Sequence, residues 1–441
     1  MSSVLSLLRR LIWAYFFLWV FEGALRFWVL PGLSNALLLV RDPVVLLIYA
    51  LALKAGVLKA HPLIVLSAVL AGVTFFLALT TGHGDLGVAV YGVRAAFLHL
   101  PLALVLPRVW RPEDMAQLAR VILWLAVPMA LLVVYQFQSP QGSWINQGGM
   151  NTHYGTVRPA GTFSFVAGMA CFASLVAVFL AHAFTTRRLV GLAGKFAVTA
   201  ALLVSVAVSG SRTVLLSVGS IFFMMCGLVV FRGRNAVALV MMIGVIGIAL
   251  STLSSTEVFA EGQEQLLRRL EDASKGEGLV GSVTGRMGNI LTGSFYLLDD
   301  AEPLGRGIGM GTNVGARLLT GKVTFLLAED EWSRLVLETG PVLGLLMIGL
   351  RVALAWMMLR ASLRALRIGN VLPALLFGAG LFPVLFGQWG VPSIQGFAAL
   401  VAGLCLAAAQ PVRAPSASRR PHRAPPWNRA ALSVRSEGVA S

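Results

Sequence analysis

Long apolar runs separated by short polar gaps set the pattern of this chain. A helix crossing the hydrocarbon core of a bilayer needs about 20 apolar residues. About a dozen segments qualify: Leu11–Leu30, Leu37–Leu53, Pro62–Thr80, Leu86–Pro107, Leu118–Phe137, Gly161–Phe184, Leu189–Val208, Thr213–Phe231, Ala236–Leu253, Leu335–Ala353, Val371–Phe386 and Ser393–Ala409. Several gaps are only a few residues long, so successive runs are expected to pack as antiparallel hairpins. The pattern predicts an all-α, polytopic integral membrane protein. Residues 1–253 hold the first nine spans and residues 335–409 the last three. Between them lies a long polar segment, 254–334, and residues 410–441 read as a disordered basic tail suited to anionic lipid. Arg9 and Arg10 precede the first run as in a signal peptide. That run is longer than a signal h-region and lacks a small-x-small cleavage site, so it is expected to stay as the first span.

Composition agrees with the pattern. The chain is 57% hydrophobic and 12% charged, against about 25% charged in an ordinary soluble domain. Too little polar surface remains to cover a globule, so the bilayer must be the main solvent. The net charge of +16 does not point to nucleic acid, because no basic face with interleaved aromatics exists. Instead the charge falls in alternate gaps: Arg9 and Arg10; Lys54 and Lys59; Arg108, Arg111 and Arg120; Arg187, Arg188 and Lys195; Arg232 and Arg234; Arg360, Arg364 and Arg367; then the tail arginines from Arg413 to Arg435. By the positive-inside rule these gaps and both termini face the cytoplasm, and segment 254–334 faces outward from a bacterial inner membrane.

Two outward segments are long enough to suggest function. Residues 138–160 are rich in Gly, Gln and Asn. Within 254–334, Glu261–Asp272 is amphipathic, with Leu266, Leu267 and Leu270 to one side. A glycine-rich break follows at Gly276–Gly281, then Ser282 or Thr284 can cap a helix running to about Leu298. Gly305–Gly311 reads as a flexible, turn-rich stretch.

Arginines on the outward side are exceptions to the charge rule. One arginine in a span costs roughly 2.5–3.5 kcal/mol on insertion scales. Arg26, Arg41, Arg94, Arg158 and Arg212 nevertheless sit at the outer ends of spans, Arg94 roughly 12 Å inside its helix. Internal pairing is one account: Glu22 and Arg26 are spaced i,i+4, and Asp42 and Asp85 stand near the others. As a set, five guanidinium groups at one depth with few carboxylates nearby make a site for a phosphate-bearing anion, which they match in bidentate fashion. Arg286, at the start of the loop helix, is a further candidate, which spacing alone does not set above Arg268, Arg269 or Arg306. The acidic cluster Glu329-Asp330-Glu331-Trp332 is either a solvated helix start or a source of a carboxylate base, Glu329 or Glu331. The three cysteines lie singly in apolar runs and no histidine has metal-ligand spacing, so neither a disulfide framework nor a metal site is expected.

The order of these parts resembles the O-antigen ligase and O-antigen polymerase family. The strings that carry the resemblance are Arg158-Pro159-Ala160-Gly161-Thr162-Phe163, Ser209-Gly210-Ser211-Arg212, Thr284-Gly285-Arg286, Gly305-Arg306-Gly307-Ile308-Gly309, and Glu329-Asp330-Glu331-Trp332 followed by Glu338-Thr339-Gly340-Pro341-Val342-Leu343-Gly344. The resemblance implies a cofactor-free, metal-independent glycosyltransferase acting on polyprenyl-diphosphate-linked glycan at the outer leaflet. It implies catalytic roles for Arg212 and Arg286, with Glu329 and Glu331 as acid–base candidates. The charge pattern adds Arg26, Arg41, Arg94, Arg158 and Arg306 as candidate diphosphate contacts. Membrane lipids are expected partners, and a chain-length regulator is the protein partner that a polymerase would imply. Ligases of the family carry a His-Asn pair where this chain has Glu329-Asp330. Polymerase, ligase, and flippase or other transporter are the readings carried forward.

Overall fold

The computed structural model describes residues 2–152, 155–186, 189–232, 236–274, 288, 292–293, 296–298 and 301–410. Arg286, the glycine-rich break before it and the basic tail lie outside the described residues, as does most of the helix expected up to Leu298.

The protein is mostly helical, and ten helical stretches among its described residues, Ala36–Lys54 and Leu86–Val109 each being made of jointed pieces, are long and apolar enough to cross a membrane. It is a multi-pass membrane protein. Helix α1 (Ser2–Ala24) runs on through a π-helical turn, Leu25–Val29. Helices α2 (Asp42–Lys54), α3 (Pro62–Thr80), α4 (Leu86–Val93), α5 (Leu102–Val109) and α6 (Pro112–Gln138) follow. Next come α7 (Val166–Thr185), α8 (Leu192–Ser209), α9 (Arg212–Arg232), α10 (Ala236–Leu253) and α11 (Glu257–Ser274). The chain closes with α12 (Asn313–Thr320), α13 (Glu331–Arg367), α14 (Leu372–Leu385) and α15 (Pro392–Ala408). The expected spans Val371–Phe386 and Ser393–Ala409 correspond to α14 and α15, which are apolar but shorter than those ten. A two-residue ladder, β1 (Met150–Asn151) on β2 (Val157–Arg158), folds the 138–160 segment back on itself.

Three spans differ from the sequence pattern for local reasons. The run Leu37–Leu53 is not one helix: a 3₁₀ turn, Ala36–Leu39, precedes α2, which starts afresh at Asp42. Pro43 suits a first turn and an acidic residue suits the positive helix end, so Arg41 becomes the residue just before a helix. The run Leu86–Pro107 holds a second π-helical turn, Arg94–Leu98, and a break at Pro101. The run Leu335–Ala353 grows to 37 residues. Asp330 caps it by accepting from the Ser333 N–H at 2.9 Å. Arg360, Arg364 and Arg367 thereby join its last turns, which favour cations.

Helix α13 is broken at Gly340 (φ 78°, ψ 168°), a conformation open to glycine alone. Pro341 follows and offers no N–H, so the Leu337 and Glu338 carbonyls lose their helical donors. They accept instead from the Arg306 N–H at 3.1 Å and the Gly307 N–H at 2.8 Å. Gly305–Gly311 is therefore not the flexible stretch that its composition suggests. It is wedged between the broken α13 and the α3–α4 corner, with Ile308 fully buried and His83 Nε2 3.2 Å from the Ile308 carbonyl. A Cβ on Gly305 would overlap the Gly340 N and the Glu338 backbone. The larger apolar core joins α1, α5–α9, α14 and α15 around Trp19, Phe163, Phe172 and Phe397, and a smaller one joins α3, α4 and α13.

Candidate functional site

Successive spans run in opposite directions, so the end of α1 and the starts of α2, α4, α7, α9, α13 and α15 share one end of the bundle. Bonds between distant segments tie that end together: Ala24 N–H to the Thr162 carbonyl at 2.9 Å, and Tyr91 OH to the Gly390 carbonyl at 2.9 Å. All the described candidate residues lie there, but in three different settings.

The first setting is a closed polar network. Arg41 is fully buried, its Nε 3.1 Å from Glu22 Oε2, which is also fully buried. Its Nη1 donates to Tyr15 OH at 3.3 Å and its Nη2 to the Pro392 carbonyl at 2.5 Å. A Cβ at Gly396 would overlap this guanidinium, so glycine makes the room. Arg94 grips Asp42 with both prongs, Nε to Oδ2 at 2.7 Å and Nη2 to Oδ1 at 2.9 Å. His99 joins the two pairs: Nε2 is 3.0 Å from Asp42 Oδ1 and Nδ1 is 2.6 Å from Tyr15 OH. Arginine can only donate, so Arg41 donates into the row at Tyr15 and Arg94 at Asp42, with His99 linking the two. Arg26 does not pair with Glu22, as i,i+4 spacing suggests. It sits in the π-helical turn, out of α-helical register, and donates to the Ser34 carbonyl at 2.7 Å. The expectation that all five arginines stand with few carboxylates nearby therefore does not hold for Arg41 and Arg94.

The second setting is a buried four-charge cluster. Glu331 accepts from Arg334 Nη2 at 2.7 Å and from Arg351 Nη2, and Arg334 Nη1 reaches Glu338 Oε2 at 2.5 Å. Arg351 stacks over the Trp389 ring at 4.2 Å and donates to the Gly387 carbonyl. The second Glu338 oxygen accepts from the Gly311 N–H at 2.8 Å. Glu331 is thus shut in with two cations, while Glu329 is exposed and, among the described residues, only its carbonyl is engaged, by Gln388 at 2.6 Å.

The third setting is open. Gly210 ends α8 in the left-handed region (φ 48°) and Ser211 leads into α9, placing Arg212 in the first turn of a helix whose N–H groups favour anions. Arg158, at the end of β2, donates to Ser211 Oγ at 3.1 Å and to Met150 Sδ at 3.4 Å, both neutral atoms. Arg269 comes in from α11 and donates to the Gly210 carbonyl at 3.1 Å. Burial, and then the positive charges of Arg269 and Arg212, hold the Arg158 guanidinium below the usual arginine range. An anion bound beside Arg158 would relieve that repulsion. Arg306 stands apart, exposed and 3.1 Å from Glu302.

Sequence reasoning did not separate Arg269 from the other loop arginines, gave Arg334 no role and missed Arg351. A signal for Arg269 was present. Gly262, Leu266 and Arg269 are spaced i, i+4, i+7, and that face of α11 packs on α8, where a Cβ on Gly262 would lie 3.0 Å from the Ala207 backbone. Arg268 points away, paired with Glu264 at 2.6 Å. Comparison with known protein families and with curated proteins finds no match to this chain.

Proposed function

We propose that this protein is a polysaccharide polymerase: a glycosyltransferase that joins polyprenyl-diphosphate-linked oligosaccharides at the outer leaflet of a bacterial inner membrane. The observation that carries the reading is the meeting of Arg158 and Arg212, with Arg269, at the first turn of α9. In this reading the chain crosses the membrane twelve times, both termini are cytoplasmic and segment 254–334 is periplasmic. The diphosphate of the donor lies among the arginines. An acceptor hydroxyl attacks the anomeric carbon, the bond from that carbon to the diphosphate oxygen breaks, and the diphosphate departs with the electron pair. Guanidinium groups fixed beforehand stabilise the charge that develops. Glu329, exposed at the same end, takes the acceptor proton. Glu331 has its oxygens engaged by two arginines and acts as a structural counter-charge. The donor is already activated, so the reaction needs neither nucleotide nor metal. Arg286 remains part of the proposal on the motif resemblance.

A flippase for the same lipid is the second reading. The row Glu22–Arg41–Tyr15–His99–Asp42–Arg94 favours it, because ionisable groups inside spans often mark transport paths. Purified protein supplied with lipid-linked repeat units separates the two. Polymerase activity yields a ladder of longer glycans, and Arg158→Gln or Arg212→Gln abolishes it without loss of folded protein. Lysine at either position should also be poor, since a point charge cannot reproduce the fork. A wild-type protein that moves the lipid across vesicles but never lengthens the glycan would overturn the polymerase reading.

A further inference from the structure

Two neighbouring segments outside the long spans present large apolar side chains on the protein surface. The first, residues 30–40, has no charged residue. It is built from two 3₁₀ turns, Pro31–Leu33 and Ala36–Leu39, with Leu30, Leu33 and Leu39 exposed. Two buried arginines fix it to the bundle: Arg26 donates to the Ser34 carbonyl at 2.7 Å and Arg94 to the Leu38 carbonyl at 3.3 Å. The second, residues 313–328, begins with α12 and holds Arg317 and Lys322 but no carboxylate. Leu318, Val323 and Phe325 are exposed on it, at 56%, 65% and 48%. Arg317 Nη1 donates to Asn35 Oδ1 at 3.5 Å, which makes the two segments neighbours.

The level of this surface follows from α4. Residues 86–109 form one of the stretches able to cross a membrane, and α12 packs at its start: a Cβ on Gly87 would lie 3.7 Å from Leu318 Cδ1. There a crossing helix passes from hydrocarbon to headgroups. A short helix that joins apolar side chains to cations suits that boundary, because the stems of Arg and Lys lie along apolar surface while their charged ends reach water or phosphate. Both cations are exposed, and among the described residues neither forms an ion pair. Asp85, close to Gly87, is engaged in capping α4 through the Val88 N–H at 2.8 Å.

We infer that residues 30–40 and 313–328 form one shelf that lies in the membrane interface and binds anionic phospholipid through Arg317 and Lys322. The apolar side chains enter the upper acyl region, and the two cations meet the phosphates above it. A zwitterionic lipid offers the same chains without net charge, so the cations set a preference for the anionic one.

The test uses the full-length protein in nanodiscs. Val323→Cys and, separately, Leu33→Cys carry an environment-sensitive fluorophore, with unsubstituted protein as the background for the native cysteines. Phosphatidylglycerol or phosphatidylcholine bearing a nitroxide near the top of one chain is added at low mole fraction. Both lipids should quench both positions, and phosphatidylglycerol should reach half-quenching at a concentration about fivefold lower or better, the scale of one cation at an anionic surface. Arg317→Gln with Lys322→Gln should bring the two lipids within about twofold of each other. A companion measurement needs no variant. An arginine-specific dicarbonyl reagent, read by peptide mass spectrometry, should modify Arg317 severalfold more slowly in phosphatidylglycerol nanodiscs than in phosphatidylcholine ones. Absence of quenching by either lipid overturns the shelf. Equal quenching and equal Arg317 modification in the two lipids overturn the headgroup preference. Disulfide-linked dimers of unlabelled Val323→Cys at high yield would make the surface an interface between two copies and overturn the proposal as well.

Discussion

Substituting Asp42 with asparagine tests whether the closed network is structural. Arg94 holds Asp42 in a two-pronged pair at 2.7 and 2.9 Å, with side-chain exposures of 7% and 13%. Asparagine keeps the size and one acceptor oxygen but removes the charge, leaving Arg94 without its carboxylate partner. Breaking a buried pair from one side costs about 3–5 kcal/mol. An unpaired arginine within a span costs roughly 2.5–3.5 kcal/mol on insertion scales. The two ranges overlap at about 3 kcal/mol, on the order of a hundredfold in the folding equilibrium. Residual exposure of Asp42 favours the lower figure. The double variant Asp42→Asn with Arg94→Gln should recover part of the loss, because neither member is then a lone buried charge. Equilibrium unfolding of purified protein in mixed detergent micelles, followed by tryptophan fluorescence, measures all four states of the cycle. Wild-type stability in Asp42→Asn, or strict additivity in the double variant, would refute the reasoning. Loss of lipid-diphosphate binding at unchanged stability would return Arg94 to the ligand site.

The two neighbouring glutamates should separate cleanly. Glu329→Gln should fold normally and lose most polymer formation, whereas Glu331→Gln strands Arg351, leaves Arg334 with Glu338 alone, and should lower stability by about 3–5 kcal/mol in the same unfolding assay; the opposite pattern would reverse their roles. Gly305→Ala forces a methyl group onto the Gly340 and Glu338 backbone and should destabilise by roughly 1–3 kcal/mol, with an unaltered melting curve contradicting the wedge. Reporter fusions at Gly278 and at the C-terminus should give outward and cytoplasmic signals respectively, and a cytoplasmic signal at Gly278 would sink the proposed orientation.

The helical membrane architecture was legible because one physical demand, about 20 apolar residues per crossing, writes itself along the chain. Irregularities inside the spans were not. Arg26 and Arg94 sit in π-helical turns whose residues look like any other apolar run, so i,i+4 reasoning paired Glu22 with the wrong arginine. The tertiary partner, Arg41, lies across a chain reversal that spacing cannot measure. Gly305–Gly311 shows the same limit from the other side. Alternating glycines permit flexibility, but they also permit close backbone approach, and only the break at Gly340-Pro341 decides between them by freeing two carbonyls. Arg158 and Arg212 were readable as outward exceptions to the charge rule. Arg269 required the extra step of asking which arginine falls on the buried face of α11.

The three settings of charge at one end of the bundle have a common logic. An electrostatic site works only if its cations are held in place before the ligand arrives, since moving them during the reaction would consume the stabilisation they offer. Arginines on short loops would collapse onto the nearest carboxylate. Four carboxylates at this end are already engaged: Glu22 by Arg41, Asp42 by Arg94, Glu331 by Arg334 and Arg351, and Glu338 by Arg334. Those pairs also fasten α1, α2 and the π-turn after α4 to one another, and Arg41 and Arg351 reach the carbonyls of Pro392 and Gly387 in and before α15. The fastening extends to the open site. Thr162 Oγ1 donates to the Val20 carbonyl at 2.6 Å, and the Thr162 carbonyl accepts from Ala24. Both bonds lie only four residues beyond Arg158. A change in the closed network should therefore reach the open site through α1 and Thr162. Thr162→Val, which keeps the shape and loses the hydroxyl bond, is the smallest perturbation of that link. It should lower the affinity for diphosphate severalfold while leaving the arginines themselves intact, and an affinity equal to wild type would show that the two regions are independent.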